Sequence, residues 1–158
     1  MDRKLIDWFE AGGPTLRRSV HGLSSADLDA LPVPGTWSIR QIVVHLFDSD
    51  LIAVHRFRRV VAENKPLLIA YDETAASQKL GYEHDDIELV LTLFERLRSF
   101  TAAWLRRLPD DAFLREGVHN HRGLVTLGAF VKIYAEHVDH HLAFVRQKRE
   151  LLGNPLKA

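Results

Sequence analysis

The chain has 158 residues, 46% hydrophobic and 27% charged, a profile that fits a globular protein and excludes fibrous or disordered classes. Its 21 basic residues balance 21 acidic ones, so there is no electrostatic footprint for nucleic acid, and no apolar run approaches the ~18 residues a membrane span needs. Cysteine is absent, which removes disulfides, thiolate metal sites and a cysteine nucleophile together.

A single domain over residues 1–158 is expected, large enough to bury roughly two thirds of its unfolded surface. The opening residues MDRKLIDWFE are charged and lack the apolar centre of a signal peptide, so a cytoplasmic setting is expected. The first helix is predicted from about Asp2 to Leu23, with Leu5, Ile6, Phe9, Leu16 and Val20 on its apolar face. Gly12, Gly13 and Pro14 are expected to interrupt it, Pro14 opening a resumed helix. Pro32, Pro34 and Gly35 mark a loop. Ser38 with Gln41 forms a capping box for the second helix, which runs to about Glu63 on Ile39, Ile42, Val43, Leu46, Ala53, Phe57 and Val60. A polar connection through Tyr71, Asp72 and Gly81 follows. The third helix, about Asp85 to Leu108, has the cleanest stripe, and Pro109 closes it. After a connection around Gly123, Thr126 caps a fourth helix reaching about Leu152. No strand pattern is evident. Four long amphipathic helices define an all-α four-helix bundle.

The fourth helix carries the anomaly. Its buried stripe reads Leu127, Phe130, Val131, Tyr134, His137, Val138, His141, Val145, with two histidines where core leucines belong. Residues four apart differ by about 40° around a helix, so both imidazoles point the same way. On the second helix, His45 lies about 60° from the centre of the apolar stripe and borders the interior. If those helices are neighbours, three neutral imidazoles meet. They suit zinc or another borderline divalent ion (nickel, iron and manganese are compatible) and leave positions open for water or substrate.

The segment PGTWSIRQIVVHLFDSD (34–50) resembles the signature of the DinB/YfiT-like family of metal-binding four-helix bundles. YAEHVDHHLAFV (134–145) resembles that family's closing His-x-x-x-His motif, and RFRRVVAENKP resembles the end of its second helix. Both motifs stand in the family's order and spacing. The resemblance implies an up-down-down-up bundle, with His45, His137 and His141 matching the metal ligands and the two ligand helices side by side. It also implies a homodimer acting on a small-molecule substrate. It implies transfer of a low-molecular-weight thiol (bacillithiol, mycothiol or glutathione type) to a small electrophile. The alternatives are a metal-dependent hydrolase using metal-activated water, or a metal-binding stress-response protein without turnover.

Other residues stay open at this point. Asp48, one turn after His45, either orients an imidazole or pairs with a basic neighbour. Arg56, on His45's side of the helix, contacts an anionic substrate group or forms a surface ion pair. His140 lines the pocket or faces solvent. His119 and His121 read as surface loop residues, and His21, His55 and His84 as outer-face residues. Trp37 reads as a packing anchor at the helix entry rather than a substrate stacker. Glu136 lies about 100° from His137 around the helix, so no protein base is apparent for hydrolysis. The missing His-Glu-x-x-His motif argues against a metalloprotease, and the missing paired Glu-x-x-His motifs against a di-iron carboxylate site.

Overall fold

A computed structural model describes residues 3–156, so the expected helix start at Asp2 lies outside the described residues. Four long helices dominate: α1 (Lys4–Val20), α3 (Ile39–Ala62), α5 (Ile87–Arg106) and α6 (Leu127–Leu151). Two short ones, α2 (Ser25–Asp29) and α4 (Glu73–Leu80), sit in the connections. Among the described residues, no helix is long and apolar enough to cross a membrane.

The long helices form a square in which α1 packs against α5 and α6, and α3 packs against the same two. Polar contacts at the helix ends fix their directions. Arg17 pairs with Glu88 and Glu95 while Arg3 pairs with Asp110, so α1 and α5 are antiparallel. Arg40 donates to the Asp85 carbonyl, and Arg58 lies over Phe100 and Trp104 at the other end, so α3 and α5 run the same way. Arg149 donates to the Ser19 carbonyl and Trp8 to Asp139, making α1 and α6 parallel. Lys148 reaches Thr36 while Arg56 reaches Tyr134, making α3 and α6 antiparallel. The order is the expected up-down-down-up.

Parallel α3 and α5 impose a long return. A 24-residue helix spans about 36 Å, and the chain must travel back along it before α5 can start. Residues 63–86 make that return. They carry β1 (Leu67–Leu68), then α4, then a single 3₁₀ turn at Tyr82–His84. β1 pairs in parallel with β2 (Glu116–His119), which forms an antiparallel hairpin with β3 (Gly123–Thr126). This three-stranded sheet corrects the expectation of no strands. Segments of two to four residues are too short to display a period of two.

A second correction concerns α1, which continues through Gly12, Gly13 and Pro14. Pro14 forfeits one helix hydrogen bond, but Phe9, Leu16 and Val20 bury on both sides of it. The glycines serve packing. A Cβ on Gly12 would stand 2.3 Å from Arg98 Nη1, and one on Gly13 would stand 3.1 Å from the Glu95 Cα. α5 therefore approaches α1 closely at this notch.

Arg98 is completely buried there and touches all four helices. Its Nε and Nη2 grip Asp50 of α3 at 2.6 and 3.0 Å, a bidentate pair. Nη1 donates to the Phe9 carbonyl of α1 at 2.7 Å, and Nη2 to the Tyr134 carbonyl of α6 at 2.8 Å. The guanidinium also stacks over the Phe9 and Phe94 rings. Two apolar clusters lie on either side of this knot, one around Leu16, Leu46 and Phe94, the other around Phe9, Phe57 and Phe130.

Candidate metal centre

Each histidine is placed by a capped helix. The Ser38 hydroxyl accepts from Gln41 N while the Gln41 side chain accepts from Ser38 N, so the capping box predicted at this helix start is present. Thr126 accepts from Ala129 N at the start of α6. His45 on α3 is then fully buried, and His137 and His141 stand one turn apart on α6 facing it.

The three ring nitrogens converge. His137 Nε2 lies 3.2 Å from His45 Nε2 and 3.1 Å from His141 Nε2. Donors held about 2.0–2.1 Å from a tetrahedral Zn²⁺ stand about 3.3 Å apart, so these two spacings match a ligand set, and all three ligand atoms lie within 4.8 Å of one another. Burial drives all three pKa values down from the usual histidine range, to about 4 for His45, about 2 for His137 and about 3 for His141. Neutral rings each carry one proton and one lone pair, and all three Nδ1 atoms are buried without a hydrogen-bond partner. Three lone pairs and three protons cannot be satisfied by Nε2–Nε2 contacts alone. A divalent cation accepting three Nε2 lone pairs resolves the geometry, and the donor set fits one.

Two further groups frame the cluster. Trp37 packs its ring on His45 with centroids 4.7 Å apart and lies nearly parallel to His141 at 6.2 Å. It thus contacts two of the histidines, a closer role than that of an entry anchor. Glu73, the first residue of α4, places Oε2 3.9 Å from His45 Nε2. Burial raises the Glu73 carboxyl pKa, with Arg56 and Arg122 opposing that shift. Glu73 escaped the sequence reading, although a helix-start signal was available. Asp72 accepts from Ala75 N as an N-cap, and Gly81 closes α4 in the left-handed conformation.

Two cavities open beside the cluster. One, of about 450 Å³, is lined by His137, Glu73, Arg56, Tyr71, His119 and Arg122 among others. The other, of about 380 Å³, lies against His141 and Trp37 and extends to Phe144 and Lys148. Consecutive residues of α4, Glu73 and Thr74, face one cavity each.

Several expectations change here. Among the described residues, Asp48 orients no imidazole and pairs with no basic residue; its carboxylate accepts from Tyr82 Oη at 2.5 Å, because the crossover brings that ring over α3. Arg56 is not a surface ion pair. It is buried, donating from Nη1 to Tyr134 Oη at 2.7 Å and from Nη2 to the Ile69 carbonyl, and it lines the larger of the two cavities beside the cluster. His140 takes the solvated alternative, exposed with its ring against Phe144 and outside both cavities. His119 is buried on β2 and borders the cavity, because the unforeseen sheet turns it inward; His121 is exposed but lines the same cavity. His21, His55 and His84 are exposed as expected.

A square bundle with an up-down-down-up path and a three-histidine cluster between its second and fourth long helices defines a class of histidine-centred bundles. The chain belongs to the DinB superfamily, whose family model matches residues 9–145. It is 30% identical over 151 residues to the Bacillus subtilis protein named "Putative metal-dependent hydrolase YfiT", covering 95% of this chain and 85% of that protein. "Putative metal-dependent hydrolase OB0782" of Oceanobacillus iheyensis is 32% identical over 130 residues, covering 82% of this chain and 75% of that one. The solved structure of Bacillus subtilis YfiT superposes with a TM-score of 0.89 at 30% identity, covering 95% of this chain and 86% of that one, and is described as having "an unusual four-helix bundle topology".

Proposed function

We propose that the chain is a metal-dependent hydrolase in which His45, His137 and His141 hold one divalent cation and Glu73 is the general base. The observation that carries this reading is the convergence of three neutral Nε2 atoms with a carboxylate beside them. A cation bound there supplies Lewis acidity and lowers the pKa of water to about 7. Glu73 Oε2, at 3.9 Å from His45 Nε2, lies beyond the ~3.3 Å expected between ligands of one tetrahedral ion. It is instead within reach of a water at the open edge of the cluster. There Glu73 accepts the proton as the water oxygen attacks, and can return it to the leaving group. Trp37 packs against His45 and His141 on the side of the second cavity.

The names of the relatives support hydrolysis. Thiol transfer, the first reading of the resemblance, would use the same three histidines without a base for water. The test is a panel of small esters and amides assayed with and without a low-molecular-weight thiol, with metal content measured in parallel. Wild type should carry about one equivalent of metal and turn over at least one substrate without thiol. Glu73→Gln should keep the metal and lose roughly 10²- to 10⁴-fold in rate. A metal-free wild type, undiminished hydrolysis by Glu73→Gln, or turnover only with thiol would sink the proposal.

A further inference from the structure

Lys148 is an unusual residue to find 3% exposed. It sits in the last turn of α6, and its ammonium makes one hydrogen bond among the described residues, to Thr36 Oγ1 at 2.6 Å. Three N–H donors thus meet one neutral acceptor. No carboxylate contributes to its electrostatics; burial alone acts on it, pushing its pKa down. Buried lysines are ordinarily paired, because an uncompensated ammonium costs several kcal/mol to desolvate. Among the described residues, none supplies the counter-charge.

The cavity beside it suggests what does. Lys148 and Thr36 line one end of the 380 Å³ cavity, and His141 lines the other. The rest of the lining is mostly apolar, with Val33, Trp37, Ile42 and Phe144, and carries Thr74 and Gln147 as its polar members. Seven residues separate His141 from Lys148, two turns along one face of α6, or about 10 Å of rise. By contrast a cavity of about 730 Å³ between the ends of α1 and α6 offers no comparable buried cation, since Arg18 and Arg146 on its wall are exposed. Its buried Arg149 is spent on the carbonyls of Ser19, His21 and Asn154.

We infer that Lys148 and Thr36 form an anion subsite for the substrate, which is an elongated molecule with an acidic group at one end, an apolar middle about 10 Å long, and its scissile bond at the histidine cluster. The identification of the scissile end rests on the hydrolase reading; the anion subsite does not. The acidic group, a carboxylate in the simplest case, accepts the two ammonium N–H donors that Thr36 leaves free. The chain of the substrate lies on Trp37 and Phe144. Short esters lacking the acid would then be poor substrates, for want of binding energy spent at a distance from the reacting bond.

The test uses octanoate and 1-octanol, two probes with the same chain and different heads, titrated calorimetrically into wild type and into His137→Ala, Lys148→Met and their double variant. Octanoate should bind at least tenfold more tightly than octanol in wild type and in His137→Ala, and the preference should vanish in both variants carrying Lys148→Met. Equal affinities in His137→Ala overturn the inference, without any change at Lys148 being needed. A preference that survives Lys148→Met but is lost in His137→Ala puts the carboxylate on the cation and overturns it too. Failure of the hydrolase reading, seen as a metal-free wild type, would leave the octanoate preference intact.

Discussion

His137 Nε2 is shared, lying within hydrogen-bond distance of both other imidazoles, and this makes it the most sensitive of the three. His137→Ala should abolish metal binding, while His140→Ala, three residues away but exposed, should leave the metal content of the purified protein unchanged; elemental analysis reads both. The sequence alone left this distinction open, because His140 lies only about 60° around the helix from His137. Arg56 is a different case. Its position on His45's side of the helix was legible, but its partners were not, since Tyr134 and the Ile69 carbonyl come from a different helix and from the crossover. Arg56→Met removes both hydrogen bonds and leaves the buried Tyr134 hydroxyl without its donor, so it should cost about 1–3 kcal/mol in chemical denaturation while retaining the metal. A loss below 0.5 kcal/mol would show that neither bond contributes.

Among the elements, caps were legible and helix notches were not. The capping box at Ser38 could be read from spacing alone because it is a local device, closed within four residues. Ser38→Ala should therefore cost about 1 kcal/mol, as a loss of one N-cap does. Gly12 reads locally as a helix breaker, yet its role depends on Arg98, 86 positions away. Two effects of opposite sign compete in Gly12→Ala. Intrinsic helix propensity gains about 1 kcal/mol. The new methyl stands 2.3 Å from a guanidinium nitrogen that cannot retreat, being fixed by the Phe9 carbonyl and by Asp50. Overpacking of this kind costs about 1–3 kcal/mol, so the net should be destabilising, visible as a lower urea midpoint. An unchanged or higher midpoint would mean that Arg98 can move. The strands and α4 were missed for a related reason: they are short, and tertiary pairing rather than periodicity holds them.

For the whole molecule, the cation and the fold should be thermodynamically linked. His45 and the His137–His141 pair come from antiparallel helices, and a ligand bound only by the folded state stabilises it by mass action. At free metal 100 times the dissociation constant the gain is about 2.7 kcal/mol. For a chain of this length that corresponds to roughly 5–11 °C, the fall in Tm expected when a chelator strips the purified protein. A Tm insensitive to chelation and to added metal would contradict a cation bridging α3 and α6. The bundle itself was legible from four stripes, and the histidine cluster from two of them. The base was not, because Glu73 reaches the cluster only through the path of the crossover.

That crossover sets a difference in local stability across the site. The histidines stand on helices of 24 and 25 residues anchored in the core. Glu73 and Thr74 stand on a helix of eight, with Ser77 its one buried residue. Segments with so little burial open locally at a free energy far below global unfolding. Amide hydrogens of α4 should exchange with deuterium orders of magnitude faster than those around His45 or His141. Each opening withdraws the carboxylate from the cluster and removes a wall shared by both cavities. Under the proposed function, the metal ligands stand on rigid supports and the base on a door, so that substrate entry and loss of the base would be the same event.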